Sequence, residues 1–139
     1  MSGENLTPGA SQQAGLRTTA MICYGLYLLG FFTGFTTIIG VIIAYIKKSD
    51  AVGTVWESHF RNLILVFWVM LAAFVIGLAT LPVWFYTIAS LIESDFTLPA
   101  VSAVAFPLAA VMFIYIALFV WFLYRMIRGL IRAADDRPF

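Results

Sequence analysis

Three long apolar stretches dominate the chain, from Leu16 to Ile46, from Leu63 to Ile92 and from Leu98 to Tyr124. Each exceeds the roughly 20 residues a helix needs to cross hydrocarbon at about 1.5 Å rise per residue. The pattern predicts an all-α integral membrane protein of about three transmembrane helices, at about residues 21–46, 63–90 and 100–124, with interfacial amphipathic extensions. Residues 1–15, rich in Ser, Gly and Gln, bury too little apolar area to offset ordering and read as a flexible polar tail before a helical membrane domain over 16–139. No small-residue cleavage site follows the first stretch, so it reads as retained.

Local residues set the expected boundaries. Gly30 and Gly34 form a small-xxx-small pair in the first span, and Gly40 and Ala44 form another. Such pairs let helix backbones approach closely, so these four residues are the expected packing positions, within this chain or across a dimer. Unwinding at Thr33–Thr37 would give a hairpin, but arms of about 12 residues are too short to span, so a single span is preferred. Lys47 and Lys48 close that helix at its negative-dipole end. After a turn at 49–53, Thr54-Val55-Trp56-Glu57 matches a capping box that starts the second helix in the interface. Pro82 is expected to kink that helix, and Pro99 suits the first turn of the third span, which contains Pro107. Beyond Tyr124 a basic amphipathic helix is expected over about 125–134, with Arg125, Arg128 and Arg132 on one face.

Composition agrees: 63% of residues are hydrophobic and 11% charged, far from a soluble domain. The charges flank the apolar stretches, as expected when one at the bilayer centre costs at least about 2.5 kcal/mol. Lys47, Lys48, Arg61, Arg125, Arg128, Arg132 and Arg137 lie at membrane ends, while Glu93 and Asp95 separate the second and third spans. Under the positive-inside rule the C-terminus is cytoplasmic. Three spans then put the N-terminus outside, whereas a hairpin in the first stretch would put it inside, which Arg17 favours.

Little in the sequence suggests chemistry. His59 is the only histidine and Cys23 the only cysteine. His59 could titrate near neutral pH as a sensor or relay, but a relay needs further ionisable groups inside the membrane, so an interfacial anchor is the preferred reading. Glu57 and Arg61, four apart, are expected to pair on the helix surface. Three spans would place Cys23 and His59 near opposite ends, and no nucleophile motif, phosphate loop or metal-ligand spacing appears. No enzyme, cofactor, metal or nucleic-acid partner is expected. Trp56, His59, Phe60, Trp121 and Tyr124 are the expected interface anchors, and Lys47, Lys48, Arg61, Arg125, Arg128 and Arg132 the expected contacts to anionic headgroups or an acidic partner.

The stretch Ile39-Gly40-Val41-Ile42-Ile43-Ala44-Tyr45-Ile46-Lys47-Lys48, then Trp56-Glu57-Ser58-His59-Phe60-Arg61-Asn62, then Trp121-Phe122-Leu123-Tyr124-Arg125-Met126-Ile127-Arg128-Gly129-Leu130 with a closing Asp136-Arg137-Pro138, resembles a family of small bacterial inner-membrane proteins without an established activity. That family looks like a distant relative of the chloroplast inner-envelope translocon membrane component. The resemblance implies a multi-pass helical fold in a bacterial inner membrane, and it brings no catalytic residue. The expected function is a non-enzymatic accessory or assembly protein packing against itself or a larger membrane complex. The alternatives are an oligomeric transporter, channel or translocation component, with Pro82, Pro107 and the Thr-rich first span lining a path, and a pH- or lipid-responsive regulator using His59 and the Arg helix.

Overall fold

A computed structural model describes residues 9–93 and 96–139. Among them all regular structure is helical, in four elements: α1 (Ala10–Thr33), α2 (Phe35–Lys48), α3 (Val55–Glu93) and α4 (Leu98–Ala134). Residues 1–8 of the expected tail, and Ser94 and Asp95 of the expected acidic connection, lie outside the described residues. Residues 10–15, also expected in the tail, form the first turns of α1.

The first apolar stretch is not the single span expected over 21–46. Gly34 takes φ +69° and ψ −43°, a backbone conformation that side chains with a Cβ rarely adopt. Its N–H donates to the Gly30 carbonyl at 2.6 Å, closing α1, and α2 starts at the next residue. The corner is satisfied locally. Thr36 Oγ1 donates to the Leu26 carbonyl at 3.0 Å and lies 3.0 Å from Thr33 Oγ1. The two helices then pack as a hairpin, where Gly30 lies against Thr37 and Gly40 faces the Tyr27 ring, leaving only 2.9 Å for a Cβ at position 40. Ala44 is fully buried, while Gly34 stays exposed at the corner. The small residues therefore admit the two arms of one chain to each other. At 14 residues, α2 is about 21 Å long, short of the ~30 Å of hydrocarbon.

The chain divides into two compact units, one running through Trp68 and joined by Leu123–Phe139, the other comprising Val69–Phe122. In the first unit α1 runs parallel to the start of α3, since Tyr24 meets His59 and Tyr27 Oη donates to the Leu63 carbonyl at 2.9 Å. The end of α4 runs the other way along α1: Tyr24 lies against Gly129, and Arg17 donates to the Ala134 carbonyl and pairs with Asp136 at 3.4 Å. Nearly all of the buried side chains fall in this unit, among them Leu16, Ala20, Cys23, Tyr24, Tyr27, Phe60, Leu63, Val66 and Met126. The contact between Arg17 and the end of α4 brings the start of α1 to the C-terminal end of α4. The hairpin returns the chain within the first unit, so α1 begins beside the last turn of α4.

The start of α3 is capped by the expected residues with the partners shifted. Thr54 Oγ1 accepts from the Trp56 N–H at 3.3 Å, and the Glu57 carboxylate accepts from the Gly53 N–H at 3.0 Å. Glu57 is thereby committed to the cap. The expected Glu57–Arg61 ion pair is not among those of the described residues, which are Arg17–Asp136 and Lys47–Asp50.

The second unit has a different character. Tyr115 Oη donates to the Ala73 carbonyl at 2.9 Å and lies against Gly77, tying α4 to α3. Most other side chains point away, with Phe74, Phe85, Phe106 and Phe113 each at least 65% exposed. Among the described residues α3 and α4 are the two helices long and apolar enough to cross a membrane, one fewer than expected: the break at Gly34 divides the first stretch into α1, whose first half carries Gln12, Gln13, Arg17, Thr18 and Thr19, and α2, which is too short. Both continue through their internal prolines, Pro82 and Pro107.

A Cβ on Gly30 meets both the backbone and the side chain of Thr37, whereas Gly25 on the same helix has nothing within 4 Å. Gly30→Ala should destabilise the protein by about 1–3 kcal/mol through overpacking. Gly25→Ala should be neutral or stabilising by up to about 1 kcal/mol through helix propensity. Thermal unfolding of both variants in detergent checks this, and equal effects would rule out the hairpin contact.

Candidate functional site

The most organised polar cluster in the first unit surrounds His59. The spacing of Trp56, His59, Phe60 and Leu63 places them on one face of α3, where all are buried. His59 itself is fully buried, with the Trp56 ring 5.5 Å away and the Tyr24 ring edge-on at 5.9 Å. Its Nδ1 lies 3.1 Å from Tyr24 Oη and its Nε2 lies 2.8 Å from the Arg137 carbonyl oxygen. Asn62 Nδ2 donates to Tyr24 Oη at 3.3 Å.

These contacts fix the proton positions. A carbonyl only accepts, so Nε2 carries the hydrogen and donates to Arg137; in the neutral ring Nδ1 then accepts from the Tyr24 hydroxyl. The result is a directional chain in which Asn62 donates to Tyr24, Tyr24 to His59 and His59 to the tail backbone. Burial lowers the His59 pKa from its ordinary value; the carbonyl of Arg137 opposes this and the positive charge of Arg132 adds to it. The neutral ring is therefore the resting form.

One acceptor is unused: Asn62 Oδ1 is buried without a hydrogen-bond partner. An orphan of this kind typically costs about 1–3 kcal/mol. It also gives the cluster a second arrangement. If His59 takes a proton, Nδ1–H donates to Tyr24 Oη, and after rotation of the Asn62 amide the Tyr24 hydroxyl has Oδ1 as its acceptor.

The C-terminal tail covers the histidine. Asp136 takes φ +55°, a region in which Asp is among the better-tolerated residues, and the chain turns there. The Arg137 N–H then donates to the Arg132 carbonyl at 2.9 Å, and the Phe139 N–H donates to Ser58 Oγ at 2.9 Å. The Phe139 ring stands 6.2 Å from His59 and lies under the Arg125 guanidinium at 5.2 Å.

The structure thus relocates several predicted residues. Trp56, His59 and Phe60, expected to anchor at the headgroups, are enclosed in the first unit because α1 packs over that face of α3. Tyr124 is exposed and Trp121 is half-buried. Arg125 faces Phe139, while Arg128 and Arg132 line a separate groove, so the three arginines do not act as one stripe. Lys47 pairs with Asp50 at 2.9 Å, and Lys48 and Arg61 are exposed. Cys23 adjoins Tyr24 at the level of His59, not at the opposite end as three spans required. Among the described residues no group of three or more His, Cys, Asp or Glu side chains is placed to hold a metal.

Sequence reasoning missed the roles of Tyr24, Asn62, Gly129 and Phe139, and read Arg137 only as a membrane-flanking cation. The helical spacing of Leu16, Ala20, Cys23, Tyr24 and Tyr27 marks a buried face, and Asn62 is a lone amide at the head of an apolar run. No comparable signal marks the tail. Comparison of the chain with known protein families, with curated proteins and with solved structures finds no match.

With the folded pKa of His59 below the unfolded value of about 6.5, the unfolded chain binds more protons in the window beneath that value, so stability falls as pH drops through it. The melting temperature should decline from pH 7.5 to pH 5.5. In His59→Gln this pH dependence should be largely lost, and the variant should start about 1–3 kcal/mol less stable because the buried pair is broken. Parallel slopes for the two proteins would exclude His59 as the titrating group.

Proposed function

We propose that the chain is a non-enzymatic accessory or assembly protein of a bacterial inner membrane, seated by α3 and α4, that packs against a larger membrane complex or against itself. The observation that carries this reading is the second unit: Val69–Phe122 exposes rows of large apolar side chains, and its apolar helical runs, 69–92 and 98–122, contain no Asp, Glu, Lys, Arg or His. Surfaces of this kind are covered by lipid or by another protein, and helices without ionisable groups lack the side chains from which proton and ion pathways are usually built. The seven membrane-flanking cations all belong to the first unit, which supports a cytoplasmic position for it and for the C-terminus. The resemblance to small bacterial inner-membrane proteins supports the same location.

The alternative of an oligomeric transporter, channel or translocation component draws no support from the Thr-rich segment. Thr33 and Thr36 hydrogen-bond within the hairpin and Thr37 packs on Gly30, so these residues serve the corner.

Isolation of the tagged protein from its native membrane in mild detergent, with mass spectrometry of what accompanies it, tests the proposal. A stoichiometric partner or a discrete homo-oligomer is expected. Recovery as a lone monomer, together with solute flux in reconstituted vesicles, would overturn it.

A further inference from the structure

A groove of about 490 Å³ lies at the end of α4 within the first unit, lined by Tyr124, Ile127, Arg128, Ile131, Arg132, Asp135 and Arg137. Two of its arginines come from successive turns of α4. The third is delivered by the tail, because His59 holds the Arg137 carbonyl and Arg132 holds its N–H. The docked tail therefore completes the groove with its third arginine.

Its charge is unbalanced. Three guanidiniums face one carboxylate, Asp135, and neither ion pair of the described residues includes any of them. Two of the guanidiniums are held in place by neutral acceptors instead. Arg128 donates to Tyr124 Oη and lies over its ring at 5.7 Å, and Arg132 donates to the Pro138 carbonyl at 2.9 Å. Each of these bonds uses one N–H of five, leaving the planar forks free for an anion with several oxygens. Ile127 and Ile131 on the same wall are more than half exposed. A soluble phosphate would leave them bare, whereas an amphiphile would cover them.

We propose that this groove binds one anionic phospholipid, its phosphodiester between Arg128, Arg132 and Arg137 and its glycerol and upper chains against Ile127 and Ile131. The proposal rests on the membrane reading above and adds a defined site to it. Diffuse attraction of basic residues to an anionic surface would not discriminate among the cations of the first unit; a groove does.

The test uses the full-length protein, first in flotation with vesicles and then by native mass spectrometry in detergent with phosphatidylglycerol or phosphatidylcholine added. Flotation with both lipids is expected, with one phosphatidylglycerol retained per protein and phosphatidylcholine held about tenfold less tightly or worse. Arg128→Gln/Arg132→Gln should abolish the preference, and Lys48→Gln/Arg61→Gln, which removes the same charge outside the groove, should keep it. Removal of residues 135–139 should weaken retention several-fold even if the helices stay folded by circular dichroism. Equal loss in both double variants, or equal retention of the two lipids, would overturn the groove while leaving the membrane reading intact. Complete displacement by millimolar glycerol phosphate would assign the groove to a free phosphate compound instead, and failure to float with either vesicle would overturn the membrane reading itself.

Discussion

The reversal at Gly34 determines what the first half of the chain can do. A helix continued through that position would carry the apolar run from Leu16 to Ile46 across a bilayer and leave Arg17 and Lys47 on opposite faces. With φ at +69° the chain turns instead, and α2 folds back along α1. The contact is close because Gly30 and Gly40 present no side chains to Thr37 and Tyr27. α1 is then free to lie along α3 and α4, where its Tyr24 reaches His59 and its Arg17 reaches the last turn of α4.

From that placement the buried hydrogen-bond chain follows. Tyr24 comes from α1, His59 and Asn62 from α3, and the terminal acceptor from the tail beyond α4, so one polar cluster ties together parts of the chain 78 residues apart. Buried polar groups of this kind tie down a packing arrangement because any member left unpaired is costly in a low-dielectric interior. Room for the Tyr24 ring is provided by Gly129, where a Cβ would collide with the phenol. Through Arg137 the same cluster shapes the basic groove, linking the interior of the first unit to its surface chemistry.

The parts of the fold that were legible in the sequence are those governed by solvent preference alone. Leu63–Ile92 and Leu98–Tyr124 are long, apolar and nearly free of charge, and they appear as the two long helices with their prolines inside. The corner at Gly34 was legible only as an alternative that was set aside, because a glycine inside an apolar run reads equally as a helix-packing position and only the left-handed backbone distinguishes the two. His59 and Trp56 follow the same logic. Polar-aromatic residues at the start of an apolar helix suit a headgroup region, and only the arrival of α1 buries them. The tail was illegible for a further reason: Asp136, Arg137 and Phe139 have no periodicity and acquire their roles from contacts more than 70 residues away. The arginines were recognised as a basic face, but their division between Phe139 and the groove depends on where that tail docks.

The central claim is that the first apolar stretch is a hairpin, which leaves two helices, α3 and α4, to cross the membrane on the proposed reading. Its most direct test is the sidedness of two positions, Ser11→Cys near the start of α1 and Ala134→Cys at the end of α4, each in a Cys23→Ser background and probed with a membrane-impermeant maleimide in sealed vesicles of known orientation. The hairpin predicts that both label from the same side. Labelling from opposite sides would mean that the stretch from Leu16 to Ile46 crosses the membrane as a single helix, and would contradict the account.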